Sequence, residues 1–181
     1  MKPHSYSSEG IVLARKNYGE ADRILSVFCL NHGRISLIAK GIRRPKSRKR
    51  GHLEIFSHIK FHAVSGHGLD LMTEAEVIDN FAAVRKSLKK VSLAYYFCEV
   101  IGKITHEGET NENLFRLLIG NIERLKYETK LKDLRVDFVH ELLTLLGFWP
   151  KGKVIFDVDK KLEEVIERQL YSKRVGKILS S

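Results

Sequence analysis

Between Lys40 and Arg50 the chain reads KGIRRPKSRKR, and seven of those eleven residues (Lys40, Arg43, Arg44, Lys46, Arg48, Lys49 and Arg50) are cationic at neutral pH. No carboxylate falls inside the run. Guanidinium forks and ammonium groups at this density bind phosphate oxygens, so the chemistry on offer is polyanion binding, and DNA or RNA is the commonest polyanion. A solvated loop that only adds solubility, or a localisation tag, is the plainer alternative. Other residue combinations offer less. Gly66-His67-Gly68 is too short for a dinucleotide fingerprint and reads as a hairpin turn; no P-loop pattern occurs, so ATP hydrolysis is not expected. His58 and His62 would share a strand face roughly 13 Å apart, too far to chelate one metal, and read as surface histidines. His140-Glu141 has no second histidine at metal spacing. Asp70, Glu74 and Glu76 share a strand face, as a metal-dependent nuclease would need, but alternate charges on an exposed strand are ordinary. No nucleophile, base and orienting acid assemble from local spacing, so neither a catalytic site nor a metal or cofactor is expected.

The elements that position the basic run have period two. Ile35, Leu37 and Ala39 alternate with Ser36, Ile38 and Lys40. In what reads as the longest strand, Leu53, Ile55, Ile59, Phe61 and Ala63 share one face and Glu54, His58, Lys60 and His62 the other. Leu69, Leu71, Ala75 and Val77 then alternate with Asp70, Met72, Glu74 and Glu76. Strands at about 8–16 and 23–29 make five. Gly41, Pro45 and Gly51 punctuate the basic run, which therefore reads as an exposed loop. Five strands in so short a stretch suit a small closed barrel, which removes exposed edges.

After Phe81 the period becomes helical. Leu88, Val91, Tyr95 and Cys98 begin a helix apolar nearly all round. Leu114, Leu117, Leu118, Ile122 and Leu125 mark a second. Leu131, Leu134, Phe138, Leu142, Leu145 and Leu146 mark a third, stopped by Gly147. Glu163 to Tyr171 is a shorter amphipathic helix, and Val175–Leu179 extends the bundle. The expected architecture is α+β: an N-terminal five-stranded OB-fold barrel over 1–80, then an α-helical bundle domain over 81–181.

Charge separates the halves. The chain carries 32 Lys plus Arg against 22 Asp plus Glu, a net +10. Residues 1–80 hold 13 basic and 8 acidic side chains, so the seven cations of the run exceed that half's whole surplus. In the second half the cations are dispersed. No apolar run of about 18 residues predicts a membrane span, and the N-terminus lacks a signal peptide's apolar stretch. Cys29 and Cys98, each within an apolar run, read as buried thiols of a cytoplasmic protein.

An OB-fold binds single strands through cations and aromatic stacking. Arg23 and Arg34 are candidates to extend the phosphate surface, Arg23 having an ion pair with Glu20 or Asp22 as its alternative. Phe56, on the polar face with Glu54 and His58, and Tyr18 are the candidate base stackers.

In order and spacing, several segments resemble the RecO family of bacterial DNA repair proteins. They are Gly10-Ile11-Val12-Leu13, Tyr18-Gly19-Glu20-Ala21-Asp22-Arg23-Ile24-Leu25, His32-Gly33-Arg34-Ile35-Ser36-Leu37-Ile38-Ala39-Lys40-Gly41 and Arg43-Arg44-Pro45-Lys46-Ser47-Arg48. Leu69-Asp70-Leu71 and Thr73-Glu74-Ala75-Glu76 continue the likeness, and Leu145-Leu146-Gly147-Phe148 with Pro150 resembles the end of the family's helical domain. The resemblance implies a non-enzymatic recombination mediator, cytoplasmic and nucleoid-associated. It would bind single- and double-stranded DNA, anneal complementary strands, contact RecR and the acidic tail of single-strand-binding protein, and assist RecA indirectly. For the tail the resemblance points to the helical half, with Arg116, Arg124, Lys126, Lys130, Lys132 and Arg135 as the candidate basic rim. Many relatives carry a four-cysteine zinc module just after the Leu-Gly-aromatic-Pro segment; here residues 151–159 contain no cysteine. An RNA-binding OB protein of translation or ribosome assembly is the runner-up, and a nuclease a third class.

Overall fold

A computed structural model describes residues 4–44 and 53–166. Five strands, β1 (Ser5–Tyr18), β2 (Asp22–Cys29), β3 (Gly33–Ala39), β4 (His58–Val64) and β5 (Asp70–Asp79), precede five helices. These are α1 (Ala82–Arg85), α2 (Leu88–Ile104), α3 (Glu112–Arg124), α4 (Leu131–Leu145) and α5 (Val158–Val165). The strands close into a barrel in the order β1-β2-β3-β5-β4, the OB-fold arrangement. Every pairing is antiparallel except β3 with β5, which are parallel and meet at Leu37↔Asp70 and Ile38↔Leu71.

The chain divides into two compact units. One is the barrel together with Thr105–Glu112, the segment leading from α2 to α3; the other holds the helices. The barrel interior is filled by alternate residues: Leu25, Val27 and Cys29 from β2, Ile35, Leu37 and Ala39 from β3, and Ile59, Phe61 and Ala63 from β4. Burial lifts the Cys29 thiol to about 12, against a hydrogen bond with Ser8 that lowers it. At the barrel margin Tyr6 donates its hydroxyl to Asp70 Oδ2 at 2.7 Å, and burial and that bond together raise the phenol well above its ordinary range.

Among the departures from strict alternation, two overturn the expected strand faces. The strand expected from Leu53 begins only at His58, and the longest strand is β1, with 14 residues. Residues 53–57 form a turn in which Phe56 takes a left-handed φ of 57°. Its N–H reaches Val12 O at 2.8 Å, while Val12 N–H donates to Ser57 O at 3.1 Å. The Phe56 ring is fully buried, though outside the barrel's interior cluster. Phe56 is therefore not an exposed base stacker, and Ile55 is half-buried outside the interior cluster.

In β5 the register against β4 jumps between Ala63↔Met72 and His62↔Glu74, leaving Thr73 as the extra residue of a bulge. The bulge reverses the phase of the strand. Asp70 and Met72 are buried, Ala75 and Val77 pack on the core, and Glu74 and Glu76 point out. The expected face shared by Leu69, Leu71, Ala75 and Val77 is thus split, and so is the trio of Asp70, Glu74 and Glu76. His58 is also not a surface histidine: it is buried, its Nε2 2.6 Å from Glu9 Oε1.

In the helical unit, α2 buries Leu93, Ala94, Tyr96, Phe97, Cys98, Val100 and Ile101. Of the stripe expected through Leu88, Val91, Tyr95 and Cys98, Cys98 is buried and Val91 half-buried, while Leu88, 76% exposed, and Tyr95 face out. Leu114, Phe115, Leu118 and Ile122 of α3 and Leu134, Phe138, Val139, Leu142 and Leu143 of α4 are buried. The Phe97 and Phe138 rings stack with centroids 4.3 Å apart. Gly147, at φ 78°, ends α4 as expected. The short α1 has no counterpart in the sequence pattern. The fourth helix starts earlier than Glu163, because the Asp157 side chain accepts the Lys160 N–H at 2.9 Å and caps it there. The remainder expected to Tyr171, and Val175–Leu179, lie outside the described residues. Among the described residues no helix is long and apolar enough to cross a membrane.

Two outcomes follow from the barrel. Deleting Thr73 removes the bulge yet keeps Met72, Ala75 and Val77 inward, so the protein should stay folded at a cost of about 1–3 kcal/mol in urea unfolding. Deleting Ser36 instead turns Leu37 and Ala39 outward and should abolish cooperative unfolding. The second outcome concerns pH. Folding raises the pKa of Cys29 and of Tyr6, so the folded state holds those protons more tightly than the unfolded chain. Their contribution is full below the ordinary thiol value of 9.0 and is lost as pH rises towards about 12. Stability measured by urea titration should fall across that window, and Cys29→Ala should flatten the fall.

Candidate nucleic-acid interface

The sequence places cations on the barrel end formed by the β1–β2 turn and the residues after β3, and the backbone there is tightly braced. Asp22 Oδ1 accepts the Gly41 N–H at 2.7 Å. Arg43 N–H donates to Ala21 O at 2.9 Å and its Nη1 to Gly19 O at 3.1 Å. These bonds tie the start of the basic run to the β1–β2 turn. The first carboxylate of the neighbourhood to find a partner is Asp22, which meets a neutral backbone donor and so keeps its charge, while Glu20 in the turn is exposed.

The second, Glu54, is shared. Its Oε1 lies 2.9 Å from Arg15 Nη1 and 3.4 Å from Arg23 Nη1. Arg23 Nε also donates to Asn17 Oδ1 at 3.2 Å. Arg23 is therefore ion-paired, but with Glu54 rather than Glu20 or Asp22. One carboxylate between two guanidiniums leaves a net positive charge, to which exposed Lys16, Lys40 and Arg44 and half-buried Arg43 add. Tyr18 ends β1 on this surface, 53% exposed. Partly exposed pairs of this kind contribute little to stability; what they do here is hold two guanidiniums still. Lys46, Arg48, Lys49 and Arg50 lie outside the described residues.

Arg34 does not join this surface. It lies six residues before Lys40 along β3, roughly 20 Å away, and its Nε donates to Thr105 O at 3.2 Å. The role sequence reasoning missed was that of Glu54, which no local spacing links to Arg15 and Arg23; only the turn at Phe56 brings it there.

In the helical unit the expected basic rim divides. Arg124 pairs with Asp137 at 3.0 Å and Glu141 at 3.8 Å. Lys126 pairs with Glu123 at 2.7 Å, its Nζ 5.0 Å from the Phe81 ring centre. Arg135 pairs with Asp159 and lies 5.0 Å from the Tyr96 ring centre. Lys130 and Lys132, with Lys89, Thr129, Leu131 and Asp133, line a shallow groove of about 340 Å³ at the start of α4. Arg116 is exposed on α3.

The segment that would correspond to the family's zinc module does not fit one. It has no thiol, Asp157 caps α5 and Asp159 holds Arg135. Among the described residues no group of three His, Cys, Asp or Glu side chains is placed to hold a metal.

Comparison with known proteins agrees with this architecture. The model of the "Recombination protein O N terminal" family matches residues 1–81, and that of the "Recombination protein O C terminal" family residues 85–154. A DNA repair protein RecO of Dehalococcoides mccartyi strain 195 is 32% identical over 161 residues, covering 89% of this chain and 64% of the relative. That of Pelotomaculum thermopropionicum is 36% identical over 145 residues, 80% of this chain and 56% of the relative. A second Dehalococcoides mccartyi protein, from strain CBDB1, is 30% identical over 178 residues, 98% of this chain and 70% of the relative. The chain thus spans between about half and about 70% of the length of these relatives.

Proposed function

This chain belongs to the RecO family, and we propose from that premise that it acts in DNA repair and recombination as a DNA-binding mediator without catalytic chemistry of its own. The observation that carries this reading is the cationic end of the barrel. Asp22 and Glu54 are both engaged, and Lys40, Arg43 and Arg44 lead into the rest of the basic run. A phosphate backbone laid across that end would displace counterions from these groups, with Arg15 and Arg23 presented in fixed positions. Exposed Tyr18 would stack on an unpaired base of the same strand. Phosphate contacts position a strand without reading its sequence, which suits a protein that must bind and anneal any complementary pair.

The finer steps of the proposal are annealing of single strands, displacement of single-strand-binding protein, and assistance to RecA together with RecR, at the nucleoid. The helical unit would supply the protein contacts. Lys89, Lys130 and Lys132 around the groove at the start of α4 suit an acidic tail better than Arg124, Lys126 and Arg135, whose charges already meet carboxylates within the unit. Attraction between such charges speeds encounter and weakens with salt.

Replacing Arg43, Arg44, Lys46 and Arg48 together with Ala tests the barrel's role. If they engage four phosphates, the slope of log affinity against log salt for single-stranded DNA should become shallower by roughly 3, with unfolding unchanged. Equal affinity and slope in the fourfold variant would overturn the reading.

A further inference from the structure

The other end of the barrel has the opposite chemistry. There the β2–β3 turn, the β4–β5 turn and residues 107–110 enclose a cleft of about 380 Å³, within the roughly 300–1,000 Å³ range of ligand pockets. Its polar and aromatic lining includes Tyr6, Asn31, His32, Ser36, Asp70 and Glu107. Two carboxylates and no lysine or arginine are among its lining residues, in a chain of net charge +10.

The walls are built rather than incidental. Gly33 sits at φ 66°, and a Cβ there would come within 2.1 Å of Glu109 O, so only glycine lets the 105–110 segment approach. Gly108 N–H donates to Arg34 O at 2.9 Å, Arg34 Nε to Thr105 O at 3.2 Å, and Arg34 and Glu107 form a parallel bridge. On the opposite wall Asp70 is buried; it accepts the Tyr6 hydroxyl at 2.7 Å and the Gly66 N–H at 3.3 Å. The Tyr6 and His32 rings lie 4.6 Å apart, tilted by 50°.

From this arrangement we infer that the cleft receives an arginine side chain presented by a protein partner. Two carboxylates repel phosphate and draw a cation. A nucleotide would bring its own phosphate beside the same two carboxylates, which disfavours a DNA strand here. Among cations, a guanidinium is planar and weakly hydrated. It stacks on aromatic faces such as Tyr6 and His32 while its fork bonds carboxylate oxygens, which a compact, strongly hydrated ammonium does less well. Asp70 is already held by Tyr6 and Gly66, so little ordering is required when the guest enters. The inference does not depend on the DNA-binding reading, since it concerns residues roughly 20 Å along β3 from Lys40.

The test is amide chemical-shift mapping on the full chain with N-acetyl-arginine amide, its uncharged isostere N-acetyl-citrulline amide, and an oligothymidylate. The arginine derivative should give saturable shifts confined to residues 31–36, 66–70 and 107–110. The citrulline derivative should bind roughly tenfold more weakly, and Glu107→Gln, a change on an exposed side chain, should weaken arginine binding by a similar factor. Absence of saturable shifts, equal binding of both derivatives, or an oligothymidylate that moves these residues more than arginine does would each overturn the inference.

Discussion

Closure of the barrel depends on a short parallel contact, Leu37 with Asp70 and Ile38 with Leu71. Without it β3 and β5 would present open edges, and the interior residues of β2, β3 and β4 would have no lid. The sequence reaches that contact through the Thr73 bulge. Asp70 and Met72 face in ahead of it, Ala75 and Val77 face in after it, and the extra residue allows β5 to serve both neighbours. Asp70 links the closure to the margin of the barrel through Tyr6.

A closed barrel has two ends, and this one separates charge between them. At one end the cations Arg15, Lys16, Arg23, Lys40, Arg43 and Arg44 outnumber the carboxylates Glu20, Asp22 and Glu54. At the other, Asp70 and Glu107 line a cleft with no cation among its lining residues. Strands of about seven residues hold these ends roughly 20 Å apart, beyond the Debye length of about 8 Å at physiological salt. Each end can therefore meet its own partner without cancelling the other's field.

Much of this was legible in the residues. Ile35, Leu37 and Ala39 alternate inward as their spacing predicts. The motifs from Gly10 to Arg48 pointed to the family and so to the barrel's topology. What stayed hidden was non-local. Phe56 looks exposed by parity, but its own left-handed backbone ends the alternation and its ring is fully buried. Thr73 reverses a strand's phase without any glycine or proline to flag it. By charge Arg34 belongs with the phosphate cations, whereas its guanidinium is committed to Thr105, 71 residues away in sequence. In the helical unit dispersed cations read as one rim, and only the fold reveals that Arg124 and Arg135 each meet a carboxylate distant in sequence.

The central claim is that the strand lies on the cationic end of the barrel. Photo-crosslinking of a single-stranded oligonucleotide to the intact chain, read out by peptide mapping, tests it most directly. The account predicts adducts in peptides containing Tyr18, Lys40, Arg43 and Arg44, and none in peptides containing Asp70 or Glu107. Crosslinks confined to α2–α5, with the barrel peptides untouched, would contradict it.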